Sequence, residues 1–318
     1  MSDVSCNVST IKYKSYVNYN NYNDEIQTLN ECTTNRNYPT IQQNMLIIYS
    51  NVDCLPNKIQ ELNSSIKSSE KVPDIIVLTE VKNKRGRKNY NYTDELKIDG
   101  YRLFSNNLLR KENRGIIVYG KQDLKCKQVS LNNSFMEYVL LEIETDHKVM
   151  HIAAIYRSPK SSLENSLNMC SLIGDICTIP GYKLFLGDFN FPKIDWKNHM
   201  ESKNIDMQKV NESESQREFI ATLIKYQLKQ HIKRPTRARG NATPHIILDL
   251  VMSNESFIEN IEFDAPLGKS DHSIIRVSCK VNPKISTEKE SWTKPLDHVD
   301  LEVKKSSQKK IDYGWNIL

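Results

Sequence analysis

The sequence contains no apolar run long enough to cross a bilayer, which excludes a membrane-spanning helix. Its first residues, Met1-Ser-Asp-Val-Ser-Cys-Asn, lack a basic stretch followed by an apolar one, so no secretory signal is read. There are seven cysteines but no C-x-x-C pair and no Cys/His spacing of a zinc site. A dispersed, odd set of thiols fits a reduced, intracellular protein. The absence of G-x-G-x-x-G and of a Walker A sequence removes the usual signals for dinucleotide and nucleoside-triphosphate binding. No internal repeat is evident.

The chain has 318 residues, 38% of them hydrophobic, enough for one large α/β domain or two small ones. The net charge of +5 permits a polyanionic partner without requiring one. Local clustering says more. Lys82, Lys84, Arg85, Arg87 and Lys88 crowd one acid-free segment. Lys229, Lys233, Arg234, Arg237 and Arg239 form a second basic run. Such runs are solvated loops in many proteins; they are also what a phosphate backbone selects for.

Residues 1–44 are rich in Asn, Tyr, Ser and Thr, poor in aliphatics, and read as a disordered tail. A body follows over 45–281. Met45-Leu-Ile-Ile-Tyr-Ser50 is strand-like, and Pro56 opens a helix to about Ser69 with Ile59, Leu62 and Ile66 at helical spacing. Asp74 to Glu80 is a second buried-type strand. Strand, helix, strand in this span predicts a parallel crossover. Further strands are expected at 114–119, 135–144, 148–156, 184–186, 246–252, 258–263 and 273–281. Helices are expected over 161–178, with Leu163, Leu167, Cys170 and Ile173 at helical spacing, and over 213–226, with Phe219, Leu223 and Tyr226 inward. A polar loop is expected from Phe191 past Asn211. From about 282 to 318 the chain is Lys/Glu/Ser-rich and reads as loose. The runs favour two sheets packed face to face with helices outside.

The polar groups that end these strands draw attention. Gly187 is read as closing the strand Leu184-Phe-Leu186, with Asp188 and Asn190 after it, two residues apart. If extended geometry persists, both side chains leave on one side. Alone, an Asp-x-Asn is more often an Asx turn capping a strand. Other strand ends carry matching groups: Asn51 with Asp53, Glu80, Tyr156, and Asp271 with His272. Asp249 sits inside an apolar run, where a carboxylate is costly without a partner, and a buried acid can orient a histidine. Each is commonplace alone. Together they form an oxygen-rich set with one His and no Cys, suited to a hard cation such as Mg²⁺ or Mn²⁺ and to phosphate-ester cleavage.

The order Asn51, Glu80, Tyr156, Gly187-Asp-Phe-Asn190, Asp249, Ser270-Asp-His272 resembles the endonuclease/exonuclease/phosphatase superfamily. Ile155-Tyr-Arg-Ser-Pro159, Gly187 to Trp196, Arg234-Pro-Thr-Arg237, Leu248-Asp-Leu-Val251 and Pro266 to His272 are similar to the apurinic-type endonuclease domain of non-LTR retrotransposons. The resemblance implies a four-layered α/β sandwich, two mixed β-sheets flanked by helices, that nicks DNA with Mg²⁺, Mn²⁺ being a possible substitute. By position it makes Glu80 the metal ligand, supported by Asn51, Asp53 and Asp271. Asp188 then handles the proton of the attacking water or leaving oxygen, and Asn190 positions the reacting groups. Tyr156 meets the phosphate or leaving group, and His272, held by Asp249, bonds the scissile phosphate. Lys84, Arg85, Arg87, Arg234 and Arg237 would track DNA. In such elements a reverse transcriptase follows, and none is read in these 318 residues. A nuclear location is expected for an enzyme of chromosomal DNA. The alternatives are a phosphatase of the same superfamily and a non-catalytic DNA-binding relic.

Overall fold

The structure is a computed structural model; it describes residues 44–81, 95–106, 108, 115–196, 213–239 and 242–286. The expected N-terminal tail up to 43, the basic segment with Lys84, Arg85 and Arg87, and the C-terminal segment from 287 lie outside the described residues.

Two six-stranded mixed sheets are packed face to face. The first has strand order β13-β14-β1-β2-β4-β3, built from β1 (Met45–Asn51), β2 (Ile75–Val81), β3 (Tyr101–Asn106), β4 (Gly115–Lys121), β13 (Ile258–Asp264) and β14 (Ile274–Cys279). The second has order β5-β6-β7-β8-β12-β9, built from β5 (Cys126–Val129), β6 (Tyr138–Ile143), β7 (Met150–Tyr156), β8 (Tyr182–Asp188), β9 (Lys229–Gln230) and β12 (Asp249–Ser253). A hairpin of β10 (Arg237–Arg239) and β11 (Ala242–Ile246) stands apart. Helix α1 (Ile59–Ser68) covers the outer face of the first sheet; α2 (Leu163–Thr178) and α3 (Glu214–Lys225) cover that of the second. The expected four-layered α/β sandwich is the fold. No helix among the described residues is long and apolar enough to cross a membrane.

Strand alternation builds the layers. Met45, Ile47 and Tyr49 of β1, Ile75 and Val77 of β2, Ile152, Ala154 and Tyr156 of β7, and Leu184 and Leu186 of β8 meet between the sheets. Ile48, Ile76 and Leu78 face α1, while Ala153, Ile155 and Phe185 face α2 and α3. Each sheet is centred on one parallel pair: β1 beside β2, joined through α1, and β7 beside β8, joined through α2. These two crossovers are a structural repeat with no repeated sequence. Their carboxyl ends, Asn51, Glu80, Tyr156 and Asp188, belong to the four strands that lie innermost.

Several expectations needed correction. Gly187 does not end β8; the strand runs through it to Asp188, paired with Ile155. Glycine is required there because φ is 153° and an added Cβ would stand 1.8 Å from the Ile155 carbonyl oxygen. The run 246–252 is divided: Ile246 closes β11, and Asp249 opens β12 instead of lying inside a strand. Helix α2 buries Met169, Leu172, Ile173 and Ile176, while Leu163 and Leu167 are 39% and 40% exposed. Two apolar stripes compete on this helix. The buried one includes Ser166, which reads as polar in sequence but seats a buried arginine. Strands β5, β9 and β10 escape the pattern because they are short and polar. The polar loop expected after Phe191 begins with buried Phe191, Ile194 and Trp196, packed with Phe219 of α3. Beyond Val281, backbone bonds from Lys284 to Glu144 and from Ser286 to Asp123 extend the pairing to residue 286.

Gly187→Ala should lose at least about 3 kcal/mol of stability in urea unfolding, since backbone at the sheet centre must move. Leu172→Ala should cost about 2–5 kcal/mol, whereas Leu167→Ala should stay within about 0.5 kcal/mol on the same assay.

Candidate active site

Along the second sheet, Tyr156, Asp188 and Asp249 fall in one row across three adjacent strands, because Asp188 pairs with Tyr156 on one side and Asp249 on the other. All three share the parity of residues that face the first sheet. From the first sheet, Tyr49, Asn51 and Thr79 point back at them by the same alternation. The crevice is therefore a consequence of register.

Asp249 is fully buried and hydrogen-bonded on both oxygens. Tyr49 donates to Oδ1 at 2.6 Å, and His272 Nδ1 bonds Oδ2 at 2.7 Å. Its own amide and that of Leu248 donate to Thr236 Oγ1 at 3.1 and 3.3 Å. Burial, then the charges of Asp249 and Asp188, hold the Tyr49 phenol well above its ordinary pKa, so it remains a donor. Burial alone would lower the His272 pKa, but the Asp249 carboxylate outweighs it and raises it to about 9. The ring's Nδ1 is committed to Asp249, and its Nε2 lies 3.8 Å from Asp271 Oδ1.

Asp188 lies across the crevice from the end of β1. Asn51 Nδ2 donates to its Oδ2 at 2.9 Å. Its Oδ1 accepts the amide N–H of Asn190 at 3.0 Å, so the Asx turn is real. Extended geometry does not persist past Asp188: Asn190 has φ 49°, and its side-chain amide donates to the Arg157 carbonyl at 2.7 Å. The expectation that both side chains leave on one side is corrected accordingly. Burial, with repulsion from Asp249 and Glu80, pushes the Asp188 carboxyl well above the usual carboxylate range against the opposing pull of His272 and Asn51.

Strand parity would turn Glu80 toward α1. A register shift between Leu78 and Val81, with φ 56° at Glu80, re-aims it. Its Oε1 then accepts from Tyr156 Oη at 3.2 Å. A non-glycine residue in the left-handed region costs energy and is concentrated at functional sites. Ser270 Oγ donates to the Asn51 carbonyl at 2.6 Å and ties the loop before His272 to β1.

The structure thus gathers Asn51, Glu80, Tyr156, Asp188, Asn190, Asp249 and His272. The remaining expected residues stand at the rim. Asp53 is exposed, and its backbone amide, not its carboxylate, turns back to Asn51 Oδ1. Asp271 is partly exposed and paired with Arg237 Nε at 2.8 Å. Arg234 is exposed and lies 4.0 Å over the Phe263 ring. Sequence reasoning missed Tyr49, Thr236, Ser270 and Arg157. A tyrosine within an otherwise aliphatic strand was the available signal for Tyr49.

One donor atom from each of Asp188, Asp249 and His272 lies within 4.8 Å of the others, a spacing that can hold a metal ion. Both Asp249 oxygens are occupied by hydrogen bonds, so the better donors lie on the side of Asp188, Asn51 and Glu80. Three carboxyl groups, Glu80, Asp188 and Asp249, and one imidazole meet here. This oxygen-rich donor set fits a hard divalent cation.

The family model described as "Endonuclease-reverse transcriptase" matches residues 150–276. None of the curated proteins compared matches the chain. Among solved structures, a 3′ phosphatase from Neisseria, bound to product DNA hairpin, is 14% identical with a TM-score of 0.56 over 74% of this chain and 99% of that one. The endonuclease domain of TRAS1, a telomere-specific non-LTR retrotransposon, is 16% identical with a TM-score of 0.52 over 74% and 98%. The APE2 catalytic domain of Xenopus laevis is 14% identical with a TM-score of 0.55 over 77% and 94%.

Because the His272 pKa is raised in the folded state, its pairing stabilises the protein fully below about pH 6.5 and is lost as pH rises through about 9. An NMR titration of the His272 ring in chelator should show a midpoint near 9. Asp249→Asn should bring that midpoint down.

Proposed function

We propose that this chain, which has the fold of the endonuclease/exonuclease/phosphatase superfamily, is a divalent-metal-dependent DNA endonuclease. The observation that carries the reading is the meeting of Asp188, the His272–Asp249 pair and the Glu80–Tyr156 pair in one crevice. The solved structures most useful for comparison support DNA as the substrate: one holds product DNA, another is the endonuclease domain of a retrotransposon.

In this reading each residue has a task its environment favours. A carboxyl with a raised pKa accepts a proton more readily, which suits Asp188 to activate water. Asn51 and the Asn190 amide fix its two oxygens, so it can receive that proton in one orientation. His272 is aimed by Asp249, which favours its protonated form, so Nε2 can donate to a phosphate oxygen as charge develops there. Tyr156 steadies Glu80 and presents its hydroxyl beside the phosphate position. Glu80, with Asn51 and the Asp188 side of the crevice, would hold Mg²⁺, and Asp53 and Asp271 would contribute from the rim. When bound, the ion supplies positive charge against the phosphate. Arg237, paired with Asp271, and the exposed Arg234 would meet the DNA backbone.

A second reading is favoured by one neighbour, a 3′ phosphatase acting on DNA. The same crevice would then cleave a terminal phosphomonoester.

Supercoiled plasmid should be nicked in Mg²⁺ and left intact in excess chelator. Asp188→Ala should lower the rate by at least ~10²-fold. Equal nicking by that variant, or in chelator, rejects the mechanism. Release of phosphate from 3′-phosphorylated oligonucleotides, with plasmid untouched, would select the phosphatase.

A further inference from the structure

Arg157 follows Tyr156 and is read from sequence only as part of a motif. In the folded chain it is buried. Its backbone amide donates to the Asp188 carbonyl at 2.8 Å. Its Nη1 donates to the Asn190 carbonyl at 3.0 Å, and Nε donates to Ser166 Oγ at 3.1 Å. The guanidinium carbon stands 4.1 Å from the centre of the Phe191 ring. Asn190 answers by donating its side-chain amide to the Arg157 carbonyl. Ser166 is itself anchored, its hydroxyl donating to the Ser162 carbonyl at 2.8 Å in the first turn of α2.

A buried guanidinium bonded to neutral acceptors is an expensive way to fill space, since apolar side chains of similar volume often serve as well or better. The geometry offers a reason for keeping it. Asn190 is held left-handed, and from that position its amide N–H reaches Asp188 Oδ1. The guanidinium grips the other side of the same residue. We infer that Arg157 is a positioning residue: anchored to α2 through Ser166, it locks the Asp188–Asn190 turn from behind and so fixes the Asp188 carboxylate. It does not contact the DNA phosphates. This rests on the reading of Asp188 as the proton acceptor.

Lysine keeps the charge but not the fork that reaches Ser166 and Asn190 together. Arg157→Lys and Arg157→Met should lower kcat for plasmid nicking by about 10–100-fold, the scale of a small misplacement of a reacting group, with KM unchanged. The salt dependence of DNA binding should match wild type, because no phosphate contact is removed. In chelator, the side-chain amide resonances of Asn190, assigned through Asn190→Asp, should shift in both variants. Ser166→Ala, a smaller change, should give the same pattern at lower amplitude and serves if the Arg157 variants fail to fold. An unmoved Asn190 resonance overturns the proposal. So does wild-type kcat with a displaced Asn190, or a salt slope reduced by about 0.9, which makes Arg157 a phosphate contact. If wild-type protein cuts no DNA, the functional reading fails, while the Asn190 resonance still decides whether Arg157 holds the turn.

Discussion

A carboxylate with no access to water organises this molecule. Asp249 opens β12 in one sheet and accepts the Tyr49 phenol from the other, while His272 closes on its second oxygen from the loop before β14. Losing His272 would leave the buried acid without its charged partner, at a cost of roughly 3–5 kcal/mol, while losing Tyr49 would cost one hydrogen bond. The same three groups thus cross-link the sheets and hold the His272 ring over the crevice. The packing of the sheets and the shape of the crevice depend here on one set of bonds.

The placement of Asp249 follows from an arrangement of strands repeated in both sheets. Each has a strand-helix-strand crossover at its centre, and the carboxyl ends of all four central strands meet at the crevice. Parallel pairs put polar strand ends on one side, where ligand crevices of α/β proteins form. Facing two such units doubles the supply of groups. Asn51 reaches Asp188 and Glu80 reaches Tyr156, each bond crossing between sheets.

Much of this was legible in the residues. Apolar runs marked the central strands, because a strand buried on both faces leaves a continuous hydrophobic signature. Strand-end polar groups named the crevice, since they had no structural reason to recur. What alternation could not convey was backbone twist. Glu80 enters the crevice through a left-handed residue and a register shift, and Asn190 turns its amide to Arg157 by the same device. Helix α2 misled because Leu163 and Leu167 form a plausible stripe that tertiary packing ignores. Short pairings such as β9 carried too few residues to leave a pattern. Tyr49 and Thr236 were hidden because partners far away in sequence give them their roles.

Those distances have a consequence for biogenesis. Tyr49 and Asp249 are 200 positions apart, Asn51 and Ser270 are 219, and Asn51 and Asp188 are 137. Closing such loops is slow and comes at a large entropic cost, so the crevice is among the last features a growing polypeptide can complete. A ribosome-bound chain lacking its final strands would have hydrophobic layers but no aligned imidazole. Topology in this way makes the assembled crevice a property of the finished fold alone.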